Sequence, residues 1–155
     1  MIILSLDQST KATGWALFED GQLKESGVKK IFSGDWIDRI VVIRKWLVNI
    51  FETYPDIHLI IEDVLHSQNG NVFQKLSHLQ GVILELAREY HIKTTVVHPQ
   101  TWKSTLNITN RGRKKEKELS KAFVLEHYQV EAAEDEADAI CIGYHFIYSN
   151  INNWS

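Results

Sequence analysis

A chain of 155 residues, 44% hydrophobic and 24% charged, is long enough for one well-cored domain and too short for two substantial ones. No stretch is long and apolar enough to span a membrane, no basic region leads into an apolar run at the N-terminus, and Cys141 is the only cysteine. Membrane insertion, export and a disulfide framework are therefore not expected; the compartment is expected to be reducing, where the sequons at Asn107 and Asn153 carry no meaning.

The order of elements reads as follows. Ile2–Leu6 is a buried strand and Gly14–Phe18 a second, followed by the turn signal Glu19-Asp20-Gly21 and a third strand over Gln22–Lys30. Apolar residues at 37, 40, 41, 47, 48 and 51 predict a helix from Trp36 to Phe51, ended by Pro55. Ile57–Ile61 is a short apolar strand running into Glu62 and Asp63. A helix over Asn71–Tyr90 is entered through the polar loop 67–70, and Ile92–Val97 is a further strand. A helical turn over Trp102–Leu106 precedes a helix from Arg113 to Tyr128, and the last helix spans Ala132–Tyr148, with Ala137, Ile140, Cys141, Tyr144 and Tyr148 as its apolar face. The order βββαβαβαα predicts a mixed sheet flanked by helices, with no repeat, low-complexity stretch or linker.

The charge is unevenly spread. Net charge is −3, yet residues 99–121 hold seven basic side chains against Glu116 and Glu118, and no Lys or Arg follows Glu126. A basic segment on an acidic body suits a polyanion gripped at one place and a carboxylate cluster at another.

Four carboxylates stand out. Asp7 follows directly on the first strand, where a carboxylate must be paired, bind a metal or mark a site. Glu62 ends the fourth strand, so if the two strands are neighbours both side chains emerge at the same end of the sheet. Asp135 and Asp138 are three apart and share a helical face. Each has a plainer explanation: a capping bond from Asp7 to the turn Gln8-Ser9-Thr10, a solvated strand end at Glu62, and dipole compensation at the helix start. The last fits Glu134 and Asp135 better than Asp138, whose neighbours Ala137, Ala139 and Ile140 are apolar. Oxygen ligands without His or Cys suit Mg²⁺ or Mn²⁺, and two such ions about 4 Å apart activate a water and stabilise the leaving oxygen of a phosphodiester.

An aspartate on the first strand, a hairpin after it, a glutamate ending the fourth strand and Asp-x-x-Asp on the last helix resemble the RNase H-like nuclease superfamily. Within it the chain resembles the RuvC family of Holliday junction resolvases in its short, phage-type form. LSLDQSTKATGW, IIEDVLHSQN with LQGVILELA behind it, and DEADAICIG carry the resemblance, which runs from Met1 to about Tyr148. It implies an α/β fold with a mixed five-stranded sheet flanked by helices, one nuclease domain over residues 1–150 and a tail over 151–155. It further implies that Asp7, Glu62, Asp135 and Asp138 are catalytic metal ligands for Mg²⁺ (Mn²⁺ as the alternative). Lys103 falls at one basic position of the family and Lys114 or Lys115 at a second. The expected reaction is hydrolysis of one phosphodiester in each of two opposed strands of branched DNA (four-way junctions and forks) by a homodimer, in the cytoplasm of a bacterial or phage-infected host cell. Two positions depart from the pattern: Gln8-Ser9 stands where cellular members carry Pro-Gly, and Leu65 where bacterial members present a stacking aromatic. Phe73 and Trp102 are substitutes for that ring or simply packing.

The loop entering the Arg113 helix is basic at a helix start, where cations oppose the dipole, and a bound phosphate would relieve both charge crowding and free N–H groups. Lys103, Arg111, Arg113, Lys114, Lys115 and Lys117 are accordingly the expected DNA contacts. His66, His78, His91, His98, His127 and His145 show no paired-ligand spacing; only His66, near Glu62, is placed to assist proton transfer. Two other functions compete. Strand-Asp-Gln-Ser-Thr-hairpin also resembles the phosphate loop of actin-superfamily sugar kinases, which need two domains and leave Asp135 and Asp138 idle. A non-catalytic branched-DNA binder on the same fold would not need every carboxylate intact.

Overall fold

The computed structural model describes residues 1–66 and 69–151, so part of the loop expected at 67–70, the sequon at 153 and the tail tryptophan at 154 lie outside it. Ten elements follow in the order β1 (Ile2–Asp7), β2 (Ala12–Glu19), β3 (Gln22–Lys30), α1 (Trp36–Thr53), β4 (His58–Glu62), α2 (Gly70–Glu89), β5 (Lys93–Val97), α3 (Pro99–Thr105), α4 (Arg113–Tyr128) and α5 (Glu134–Asn150). Asp20 and Gly21 both have positive φ (49° and 82°), the backbone of a two-residue turn whose twist matches its strands, and they join β2 to β3. Asp35 starts α1 by accepting from the Asp38 N–H, while the Asp38 carboxylate returns the bond to the Asp35 N–H.

The five strands form one mixed sheet in the order β3-β2-β1-β4-β5. β1 is antiparallel to β2 and parallel to β4, and β4 is parallel to β5. Strand alternation divides the core into two layers. Leu4, Leu6, Leu59 and Ile61 face α1 and α2. Ile3 and Ile60 face the other way, onto a layer that holds Trp102 of α3, Val124 of α4 and Ala137–Ile142 of α5.

Two helix faces differ from expectation. On α1 the buried residues are Ile40, Ile43, Leu47 and Phe51, whereas Ile37 and Val41 are exposed. At about 100° per residue, positions 37, 41 and 48 sit roughly a quarter turn away from the 40-43-47-51 track. Tyr148, expected on the apolar face of the last helix, is 60% exposed and stacks on Tyr144, because α5 is buried over Ala137–Gly143 and its last turn is not.

Candidate active site

The same alternation that splits the core aims the carboxylates. Ile3, Ser5 and Asp7 share one face of β1, and Ile60 and Glu62 share that face of β4. The strands are parallel neighbours in register Leu6 to Ile61, so Asp7 and Glu62 emerge side by side at their C-terminal ends, on the side covered by α5.

α5 is held against that end by contacts only small residues allow. A Cβ on Gly14, which pairs with Asp7 across β1 and β2, would overlap the Asp135 carbonyl. A Cβ on Gly143 would drive into the Phe18 ring and lie 2.8 Å from Ser5 Oγ. Ser5 Oγ donates to the Ala139 carbonyl at 2.6 Å and Ser26 Oγ to Glu136 Oε1 at 2.8 Å, so the sheet and α5 are also joined by hydrogen bonds. These contacts bring the first turns of α5, with Asp135 and Asp138, over Asp7. The turn after Asp7 is closed by Thr13, whose Oγ1 accepts from the Ser9 N–H at 3.1 Å and donates to the Ser9 carbonyl at 2.5 Å.

Asp7, Glu62 and Asp138 line one cleft of about 390 Å³, faced by Lys103, Arg113 and Lys117. Burial, then the facing Glu62 and Asp138, hold the Asp7 carboxyl well above the usual range, opposed by Lys117. Burial also raises Glu62, against the Trp102 hydrogen bond, and burial raises Asp135. Lys117 Nζ donates to Asp138 Oδ2 at 2.6 Å. Burial alone would lower the Lys117 ammonium, but Asp138, Asp7 and Asp135 together hold it above its ordinary value. Among the described residues, no three acidic, His or Cys side chains stand arranged as a finished metal cage. The donor set nonetheless suits a hard cation: it is all oxygen, its members repel one another, and a cation already sits against Asp138.

The basic residues divide into two groups. Lys103 pairs with Glu116 at 3.3 Å and lies 5.6 Å over the Trp102 ring, and with Arg113 and Lys117 it reaches the cleft. Arg111, Lys114 and Lys115 are exposed and lie outside the cleft lining. Gly112, at φ 83°, starts α4 without a side-chain cap.

Trp102 is 1% exposed, so its ring packs in the core, and its indole N–H donates to Glu62 Oε2 at 2.6 Å. That bond was not foreseen from sequence, nor were Gln8 and Gln80, whose side-chain amides each donate to the Glu62 carbonyl at 2.9 Å. Phe73 is partly buried with its ring 5.2 Å from that of His66, and Leu65 is 42% exposed.

The family profile described as Crossover junction endodeoxyribonuclease RuvC matches residues 3–145. The protein of that description from Rickettsia massiliae is 30% identical over 149 residues, covering 93% of this chain and 95% of its own length; its counterpart in Rickettsia africae is 29% identical at the same coverage. Thermus thermophilus RuvC, solved in complex with a Holliday junction substrate, superposes with a TM-score of 0.76 at 14% identity over 97% of this chain and 96% of its own. The yeast mitochondrial Holliday junction resolvase superposes with a TM-score of 0.69 at 10% identity, covering 98% and 80%. At such identities the structures establish a shared fold, while the profile match spans nearly the whole sequence: the chain belongs to the RuvC family of crossover junction endodeoxyribonucleases.

Proposed function

We propose that this protein is a metal-dependent, structure-selective endonuclease that resolves Holliday junctions and other branched DNA, forks included, by hydrolysing one phosphodiester in each of two opposed strands. The observation that carries the reading is that the family match over residues 3–145 includes Asp7, Glu62 and Asp138, which share one cleft with Glu116 and the basic Lys103, Arg113 and Lys117. The sugar-kinase alternative for the Asp7–Thr10 stretch loses its support with that match. On this reading residues 1–150 form a single RNase H-like nuclease domain with 151–155 as a tail. A homodimer supplies two clefts related by a two-fold, one for each strand cut. Among the described residues no helix is long and apolar enough to cross a membrane. We infer that the protein acts in the cytoplasm of a bacterial or phage-infected cell.

Asp7, Glu62 and Asp138, with Asp135 beside them, would hold Mg²⁺ or Mn²⁺, the ions their oxygen-only donor set favours. Such an ion supplies Lewis-acid chemistry, a nucleophilic water at neutral pH and charge stabilisation at the leaving oxygen. The chain's own side chains do the rest. The carboxylates sit on strand ends and a packed helix, so their positions are set before DNA arrives. Lys103 and Arg113 line the same cleft, Lys117 sits directly against Asp138, and the three cations offset the charge of the phosphate undergoing hydrolysis. Arg111, Lys114 and Lys115, together with the uncapped N–H groups that start α4, grip flanking phosphates without reading sequence.

The test is cleavage of a labelled synthetic four-way junction beside a matched linear duplex, with Mg²⁺ or EDTA. Paired nicks near the branch, abolished by EDTA and absent from the duplex, are expected. Junction binding with no cleavage would make the protein a non-catalytic branched-DNA binder, and equal cutting of both substrates a general nuclease.

A further inference from the structure

Glu62 receives three hydrogen bonds from side chains outside its own strand. Trp102 Nε1 donates to one carboxylate oxygen, Oε2, at 2.6 Å, and Gln8 and Gln80 donate to its backbone carbonyl, each at 2.9 Å. The geometry points to Trp102, Gln8 and Gln80 as positioning residues: together they fix the end of β4 and the orientation of the Glu62 carboxylate, leaving its second oxygen to serve the cleft. This inference rests on the reading of Glu62 as a catalytic carboxylate.

The need for such a clamp follows from the sheet. The β1–β4 ladder ends at Leu6 and Ile61, one residue short of Glu62. The Glu62 carbonyl therefore lies beyond that ladder, and a carbonyl has two lone pairs to satisfy. Gln8, just past the end of β1, and Gln80, on α2, take both, so the strand end is tied to an element on each side. Gln8 is 7% exposed as a residue, and its buried Oε1 has no hydrogen-bond partner among the described residues. A buried acceptor left unpaired is costly, so the side chain is held there by what its N–H does at Glu62. Trp102 acts at the other end of the residue. Its ring is packed in the core layer beneath α5, which gives the indole N–H a fixed direction and lets one carboxylate oxygen be pinned by a charge-assisted bond. A strand-end glutamate would otherwise sample several rotamers, and supporting bonds of this kind typically change activity or metal affinity ~10- to 100-fold when removed.

Two readouts test the clamp. In ¹⁵N-labelled protein, the Trp102 indole N–H signal is identified by its loss in Trp102→Phe, which keeps a packed ring. Glu62→Gln is expected to move that signal, since a neutral amide accepts more weakly than a carboxylate; an indole signal indifferent to Glu62→Gln overturns the clamp. In single-turnover cleavage, Trp102→Phe and Gln80→Leu are each expected to slow the cut ~10-fold or more and to raise the Mg²⁺ concentration for half-maximal rate, with junction affinity unchanged. Cutting at the wild-type rate with wild-type Mg²⁺ dependence overturns it. Should the wild-type protein cut no junction, the proposed function fails, while the indole signal still decides whether Glu62 is clamped.

Discussion

The two walls of the cleft are built on different principles. On the acidic wall each carboxylate is delivered by backbone: Asp7 and Glu62 by strand ends on one face of the sheet, Asp138 by a helix that approaches closely enough to require Gly14 and Gly143. The basic wall extends beyond the cleft: its side chains are long, and four of the six expected DNA contacts (Arg111, Arg113, Lys114 and Lys115) are exposed around the start of α4. Chemistry needs fixed geometry; holding a polyanion needs charge in roughly the right place. The acidic wall should therefore respond to small changes with loss of cutting, and the basic wall with graded loss of binding.

The largest effect expected is from Asp7→Asn. It keeps the shape of the side chain, removes its charge, and should lower cleavage about a thousandfold or more. Junction binding should be retained or tightened, because a negative charge near phosphate is gone. Parallel gel-shift and cleavage assays check this, and normal cutting by the variant would break the distinction between the walls. On the basic wall, Arg113→Ala with Lys115→Ala should weaken binding to junction and duplex alike, roughly tenfold at moderate salt, and reduce the salt slope by about two. Unchanged affinity would make the segment a merely solvated helix start.

Gly14→Ala tests how the acidic wall is assembled. The added methyl meets backbone rather than a flexible side chain, so α5 must shift, with an expected loss of about 1–3 kcal/mol in stability and a loss of cutting beyond it. Denaturant melts beside cleavage rates would show this. The smallest effect concerns pH. Asp7, Glu62 and Asp135 are all held above the usual carboxylate range, burial being the main cause. The folded protein thus binds protons more tightly than the unfolded chain. Stability in EDTA is fully present below the unfolded carboxylate pKa of about 4 and is lost as pH rises through the folded values. Mg²⁺ competes with those protons, so the gain in Tm on adding it should be larger near pH 8 than near pH 5.5, by a few degrees, roughly what 1 kcal/mol represents in a chain this size. An equal gain at both values would sever the metal from these carboxylates.

The strand ends carrying Asp7 and Glu62 and the helix carrying Asp135 and Asp138 are legible in the sequence, because each rests on a local pattern whose consequence is geometric. A strand's last residue has a defined face, and residues three apart share a helix face. The basic wall is harder to read from charge alone, since α4 opens with Arg113-Lys114-Lys115 and Lys117 follows. The helical phase does separate them: counting back from the buried Val124 and Ser120 reaches Lys117 and Arg113, which line the cleft, and passes by Lys114 and Lys115. Trp102 is different. Its bond to Glu62 exists because β5 lies beside β4 and α3 follows β5, a neighbourhood that no local pattern around position 102 encodes. Gln8 and Gln80 are illegible for the same reason, being 72 residues apart and meeting only at the Glu62 carbonyl. The α1 stripe misleads in a third way: Ile37 and Val41 fit a helical period but sit off the face the sheet covers.

The central claim is that strand alternation and the close approach of α5 make one cation site from residues distant in sequence. Mn²⁺ binding measured for wild type, Glu62→Gln, Asp138→Asn and the double variant addresses it without DNA. The account predicts that each single change weakens Mn²⁺ binding about tenfold or more, and that the double change costs clearly less than the two separate losses combined, as expected for ligands of one site. Mn²⁺ affinity indifferent to either change, or two losses that simply add, would contradict it.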